Sequence, residues 1–209
     1  MARGEEKSIA IAGPGGLALE GVFVAGEDDA APGAVIAPPH PLYGGSMDSP
    51  VLEEVAWALR RAGCASLRFN WRGVGASGGS TSGEAPDADA DYAAALEHLE
   101  ETVSGPLIGA GYSFGAATAV RVAAPHPRVR RLVLVAPPPA LLDAAALEDF
   151  AGSVLILTGA RDEFAPPTAL DAIVSGRPRH ALHVIADADH FFGVGLGEIG
   201  RSVSAWLGA

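Results

Sequence analysis

Two pentapeptides in this sequence fit the pattern G-x-S-x-G: "GYSFG", centred on Ser113, and "GASGG", centred on Ser77. A serine hydroxyl is a weak nucleophile near neutral pH. It attacks a carbonyl only when a general base takes its proton and a third group orients that base. With 27 glycines in 209 residues, so short a motif is easily met by chance, and its surroundings must choose. Ser113 lies between an apolar run, "LIGAGY", and a small-residue segment, "FGAATAVRVAA". That is a strand-to-helix turn which would raise the hydroxyl above a sheet edge, with flanking glycines where side chains would collide. Ser77 sits in "RGVGASGGSTSGEAP", which reads as loop chemistry. Ser113 is therefore the candidate nucleophile.

Six histidines are available as the base. His98 belongs to a polar helical stretch, His126 lies between prolines, and His180 and His183 fall inside the last strand-like run. His190 instead follows that run in "DADHFF", just before the final helical segment. Sites of open α/β folds form at that carboxyl edge. The acid is expected from another strand end: Asp162, in "ARDEFAPP" after the apolar run "SVLILTG". Asp187 and Asp189, in the loop of His190 itself, remain alternatives, and Glu163 should point elsewhere. Such a constellation performs acyl transfer and uses no metal or cofactor. No His pair at i, i+4, no Cys-x-x-Cys and no dense carboxylate loop suggests a metal site. "GAGYSFG" also resembles a glycine-rich phosphate loop, but it comes late in the chain, and the next strand ends in "LVAPPP" without an acidic residue for a ribose.

The elements that must hold these residues read from periodicity. Eight runs suit strands: 8–12, 17–25, 33–39, 64–70, 106–112, 131–138, 153–159 and 180–187. Most are apolar on successive residues, as strands covered on both faces of a parallel sheet should be. The first two alternate and flank "GPGG", which predicts an antiparallel hairpin. Between the later runs lie helical patterns. "SPVLEEVAWALRRAG" has Ser49 as N-cap, Pro50 at the first helical position and Gly63 as terminator. In "DADADYAAALEHLEE", Asp87, Asp89 and Asp91 are read as complements to a helix dipole. The expected architecture is α/β, a three-layer sandwich around a mostly parallel eight-stranded sheet in one domain, residues 1–209.

Composition narrows the partners. A formal net charge of −11 opposes association with nucleic acid or an anionic membrane. Arg128, Arg130 and Arg131 read as a solvated lead-in to a strand. The single cysteine, Cys64, is expected to be buried and rules out a disulfide framework. The start shows no apolar signal segment and no apolar run approaches about 18 residues, which predicts a cytoplasmic protein; the serine, histidine and aspartate above predict a small-molecule acyl substrate.

The elbow "GYSFG", the order Ser113, Asp162, His190, and the segments "TGARDEFAP", "DADHFF", "HPLYGGSMDSP" and "FNWRGVGASGG" resemble the α/β-hydrolase superfamily. The chain is similar in particular to its small lidless bacterial members. The resemblance covers most of the chain and implies Ser113 as nucleophile, His190 as base and Asp162 as acid, with "RGVGASGG" structural. It implies an oxyanion hole built from the backbone N–H of Phe114 and of Leu42, with Tyr43 as the neighbouring alternative. Pro41 stands where relatives carry glycine, and His40 is expected to fix the loop. The short stretch from Ala136 to Gly152 leaves room for one helix and a turn instead of a lid. A shallow, open site follows, suited to a carboxylesterase on small or protruding acyl groups, with Tyr43, Phe164 and Phe191, besides Leu42, Phe114 and Phe192, as candidate pocket residues. A thioesterase, peptidase or lactone hydrolase would use the same three residues. A binding or scaffold protein with this fold is the alternative from another class.

Overall fold

The computed structural model describes residues 4–208. Eight strands form one sheet in the order β1-β2-β4-β3-β5-β6-β7-β8. β1 (Lys7–Ala12) and β2 (Ala18–Val24) make the expected antiparallel hairpin, and β2 runs antiparallel to β4 (Ala65–Phe69). From there β4, β3 (Gly33–Ala37), β5 (Leu107–Tyr112), β6 (Val129–Val135), β7 (Ser153–Gly159) and β8 (His180–Ile185) are parallel. The central strands are covered on both faces: every residue of β3, β4 and β5 is buried, including Ser66 and Arg68 of β4.

Six helices supply that cover: α1 (Pro50–Arg61), α2 (Ala85–Thr102), α3 (Phe114–Ala123), the short α4 (Ala144–Asp149), α5 (Pro167–Val174) and α6 (Leu196–Leu207). α1 begins at Pro50 and ends before Gly63, whose φ of 75° is open to glycine. Ser49 holds the N-cap position, but its side chain makes no capping bond. The aspartates of α2 depart further from expectation. They are spent on ion pairs: Asp89 with Arg121, and Asp87 and Asp91 with Arg72. The arginines near residue 130 also have specific tasks. The Arg128 guanidinium donates to the carbonyls of Glu100, Val103 and Gly105 at the end of α2, and that of Arg131 lies 5.4 Å over the Trp206 ring.

Between β6 and β7 there is only a 3-10 turn, Pro139–Leu141, and α4. No layer lies over the carboxyl edge of the sheet from this connection, as its length predicted. Cys64 is buried, and burial pushes its thiol up. No described helix is long and apolar enough to cross a membrane.

Candidate active site

Ser113 is the hinge between β5 and α3, with φ 54° and ψ −115°. A side-chain-bearing residue adopts this left-handed conformation at a cost of about 1–3 kcal/mol, so the surroundings must enforce it. They do so by close packing. A Cβ on Gly111 would run into Gly115, and one on Gly115 would run into the carbonyls of Ala37 and Pro38 at the end of β3. The Ser113 N–H donates to the Val135 carbonyl at 2.8 Å, pinning the turn to β6. Among the described residues, the other side-chain-bearing residues at positive φ are Ala136, Asp187 and Phe192. Ala136 directly follows β6, and Asp187 and Phe192 lie in the loop after β8. Strain is thus concentrated at the carboxyl edge of the sheet.

The Ser113 Oγ lies 2.9 Å from His190 Nε2. On the far side of the ring, His190 Nδ1 lies 2.9 Å from Asp162 Oδ2 and 3.0 Å from Oδ1. A carboxylate only accepts, so the proton sits on Nδ1, and Nε2 presents its lone pair to the serine hydroxyl. Asp162 is itself fixed, since its Oδ1 accepts the N–H groups of Phe164 (2.9 Å) and Ala165 (2.7 Å), and its side chain is wholly buried. Its loop is tied to that of His190: Ala160 N–H donates to the Ile185 carbonyl and Arg161 N–H to that of Ala188. Gly159 lets the two backbones approach, because a Cβ there would strike the Ala188 carbonyl.

The alternatives are occupied elsewhere. Asp187 pairs with Arg161, and Asp189 accepts the Phe191 N–H at 3.0 Å. Ser77 accepts the Glu20 N–H and donates to the Asn70 carbonyl, both at 2.9 Å, which fastens its loop to β2. Sequence reasoning missed Tyr112. Its hydroxyl donates to the His190 carbonyl at 2.7 Å, and burial, reinforced by the Asp162 and Asp189 carboxylates, pushes the phenol up and keeps it a donor. Tyr112 occupies a variable position of the pentapeptide, and no local pattern signals a contact with a residue so distant in the chain.

Of the oxyanion donors expected, the Phe114 N–H opens α3 and meets no acceptor among the described residues. The loop after β3 differs from expectation. His40 caps a 3-10 turn, Pro41–Tyr43, taking the Leu42 N–H on its Nδ1 at 3.2 Å, while the His40 carbonyl takes the Tyr43 N–H at 3.1 Å. Both expected donors are therefore engaged within the loop. Pro41 favours this turn because its φ suits a first helical position and it has no N–H to satisfy there. His40 is wedged between the Phe114 and Tyr43 rings, with centroids 4.7 and 4.8 Å away, and burial lowers its pKa, keeping Nδ1 available as an acceptor. It fixes the loop, in line with the reading of the sequence.

A cleft of about 1240 Å³ opens over Ser113 and His190. Tyr43, Phe114, Phe164, Phe191 and Phe192 line it, and Leu42 does not. Phe192 is almost entirely buried and also packs in the core, whereas Tyr43, Phe164 and Phe191 are exposed. The cleft is open but exceeds the usual range for ligand pockets, about 300–1,000 Å³, so its aromatic rim can hold more than an acetyl group.

Comparison with known proteins places the chain in a family and a fold. The family model described as serine aminopeptidase S33 matches residues 42–144, a stretch that contains Ser113 and stops before Asp162 and His190. An uncharacterized protein of Rickettsia prowazekii is 30% identical over 210 residues, covering 93% of this chain and 86% of that protein. Among solved structures, an alpha-beta serine hydrolase homologue from Coxiella burnetii superposes with a TM-score of 0.85 at 32% identity, covering 95% of this chain and 96% of that one. A serine hydrolase without a lid from Xanthomonas campestris gives 0.83 at 29% identity, covering 97% and 94%. The chain belongs to the α/β-hydrolase superfamily. It is a hydrolase by family, and its architecture is that of the members without a lid.

Proposed function

We propose that the protein is a serine hydrolase working through an acyl-enzyme, and that carboxylic esters are its substrates. The observation that carries this reading is the continuous hydrogen-bonded relay from Ser113 Oγ through His190 to Asp162. Ser113 Oγ attacks the ester carbonyl carbon as His190 Nε2 takes its proton. The tetrahedral oxyanion collapses, the bond to the alcohol oxygen breaks, and His190 returns the proton to the departing alcohol. Water, activated by the same nitrogen, then releases the acid from Ser113. Asp162 holds the imidazole and stabilises its charged form. The Phe114 N–H, at the positive end of α3, meets the oxyanion. A second donor from the loop after β3 requires that Leu42 N–H leave His40 Nδ1. The chemistry draws on this chain's own residues and needs neither metal nor cofactor. The backbone strain held at Ser113 favours a catalytic over a scaffolding role, since a scaffold gains nothing from it.

The test is labelling with a fluorophosphonate, followed by peptide mapping. The expected adduct is on Ser113 and is absent from Ser113→Ala. Folded wild type that stays unlabelled sinks the proposal, and an adduct on Ser77 moves the nucleophile.

Tyr112 acts as a positioning residue through the His190 carbonyl. Tyr112→Phe loses one buried hydrogen bond, a loss of about 1 kcal/mol. Expressed in the alignment of His190, it lowers kcat about fivefold with KM nearly unchanged. Steady-state kinetics on an activated ester separate this from a general loss of fold, which would leave kcat per labelled site intact.

A further inference from the structure

The charge of the cleft is as informative as its shape. Among the residues that line it there is no lysine and no arginine, and there is one carboxylate, Asp48, in the loop between β3 and α1. Asp48 is exposed, and among the described residues its carboxylate takes part in no ion pair and accepts no hydrogen bond. The loops that carry the acid and the base strengthen the same sign. Glu163 and Asp189 are exposed beside them, and the one arginine there, Arg161, is already paired with Asp187. The rest of the lining is largely aromatic, aliphatic or glycine.

Resting on the esterase reading above, we propose that the cleft selects esters whose apolar body carries a positive charge, with Asp48 as the group that reads that charge. The exposed faces of Tyr43 and Phe191 suit an alkylammonium as well as a hydrocarbon, because an aromatic face attracts cations. Anionic substrates meet the Asp48 carboxylate with no lysine or arginine in the cleft lining to offset it. Thioesters of phosphate-bearing carriers fall in that disfavoured class, which separates this esterase from a carrier thioesterase using the same three residues. Asp48 makes no contact with Ser113 or His190 and is a specificity residue, outside the relay that breaks the ester.

The test uses matched 4-nitrophenyl esters whose acyl chains end in a tert-butyl, a trimethylammonium or a carboxylate group. A second series carries the same three ends on the alcohol side. The tert-butyl and trimethylammonium ends have nearly the same shape, so their ratio isolates charge. A unit charge acting across a substrate-sized gap in largely aqueous surroundings changes kcat/KM by about threefold. The expected order in one series is therefore cationic over neutral by about threefold, and cationic over anionic by about tenfold. In Asp48→Asn the cationic-to-neutral ratio falls most of the way toward one, with only the weaker contribution of Glu163 and Asp189 left, while the neutral ester is turned over as before, and added salt reduces the wild-type ratio. Equal kcat/KM for all three ends in both series overturns the proposal, as does a preference that Asp48→Asn leaves undiminished. Either result, with the neutral ester hydrolysed and Ser113 labelled by fluorophosphonate, leaves the esterase reading standing. Absence of both hydrolysis and labelling overturns the esterase reading and this proposal with it.

Discussion

Asp162→Asn is expected to lower kcat for ester hydrolysis by about four orders of magnitude while the protein remains folded. The reason lies in what each oxygen of Asp162 does. Oδ1 accepts the Phe164 and Ala165 N–H groups, and an asparagine carbonyl placed there continues to accept them, so the loop keeps its shape. The amide NH2 then occupies the place of Oδ2 and faces His190 Nδ1. Because an NH2 only donates, it favours Nδ1 as the acceptor over donation from Nδ1 to the Oδ1 carbonyl at 3.0 Å, and the imidazole proton moves to Nε2, where it blocks uptake of the serine proton. Asp187→Ala and Asp189→Ala keep turnover near that of wild type, since those carboxylates serve Arg161 and the Phe191 N–H. Steady-state kinetics with thermal melts of the three variants check this. Turnover of Asp162→Asn within tenfold of wild type moves the acid elsewhere.

What could be read from the chain follows from how local each interaction is. The three-layer fold was legible because β3 and β5 carry no charged residue and are apolar or glycine at successive positions, the mark of a strand covered on both faces. Ser113, Asp162 and His190 could be selected because each directly follows or closely succeeds a strand of the parallel sheet, and the structure brings their side chains together. Three features escaped. Tyr112 reaches the His190 carbonyl across 78 residues, and only the adjacency of β5 to the final loop creates that contact. The engagement of Leu42 and Tyr43 depends on the rotamer of His40 and the turn that Pro41 favours, neither of which residue type alone fixes. The aspartates of α2 look like dipole complements in one dimension, yet two of them face an arginine from a loop a dozen or more residues earlier.

That arginine governs the largest expected loss of stability. Asp91 is buried inside α2, and its Oδ2 accepts the Arg72 backbone N–H at 2.9 Å while its Oδ1 accepts from Nε at 3.0 Å and from a terminal nitrogen at 2.8 Å. Arg72 opens the glycine-rich loop after β4, which Ser77 fastens to β2 and which returns at Gly83 against the His40 ring. Asp91→Ala leaves a half-buried guanidinium short of its main partner and a backbone N–H without its acceptor. Breaking a buried pair from one side typically costs about 3–5 kcal/mol, and the lower end applies here because Asp87 still pairs with Arg72. For a domain of this size the melting temperature falls by about 10 °C. Asp89→Ala is the control from the same helix: Asp89 is about one-third exposed where Asp91 is buried, and partly exposed pairs contribute about 1 kcal/mol or less. Denaturant titrations of both variants give the comparison, and equal losses would show that burial of Asp91 is not what makes its pair matter. Hydrogen exchange should locate the Asp91→Ala defect in residues 71–84, with the Ser113 to Asp162 relay unaltered at temperatures well below the melt. Activity there declines only to the extent that the loop against His40 loosens, because no member of the relay touches Arg72.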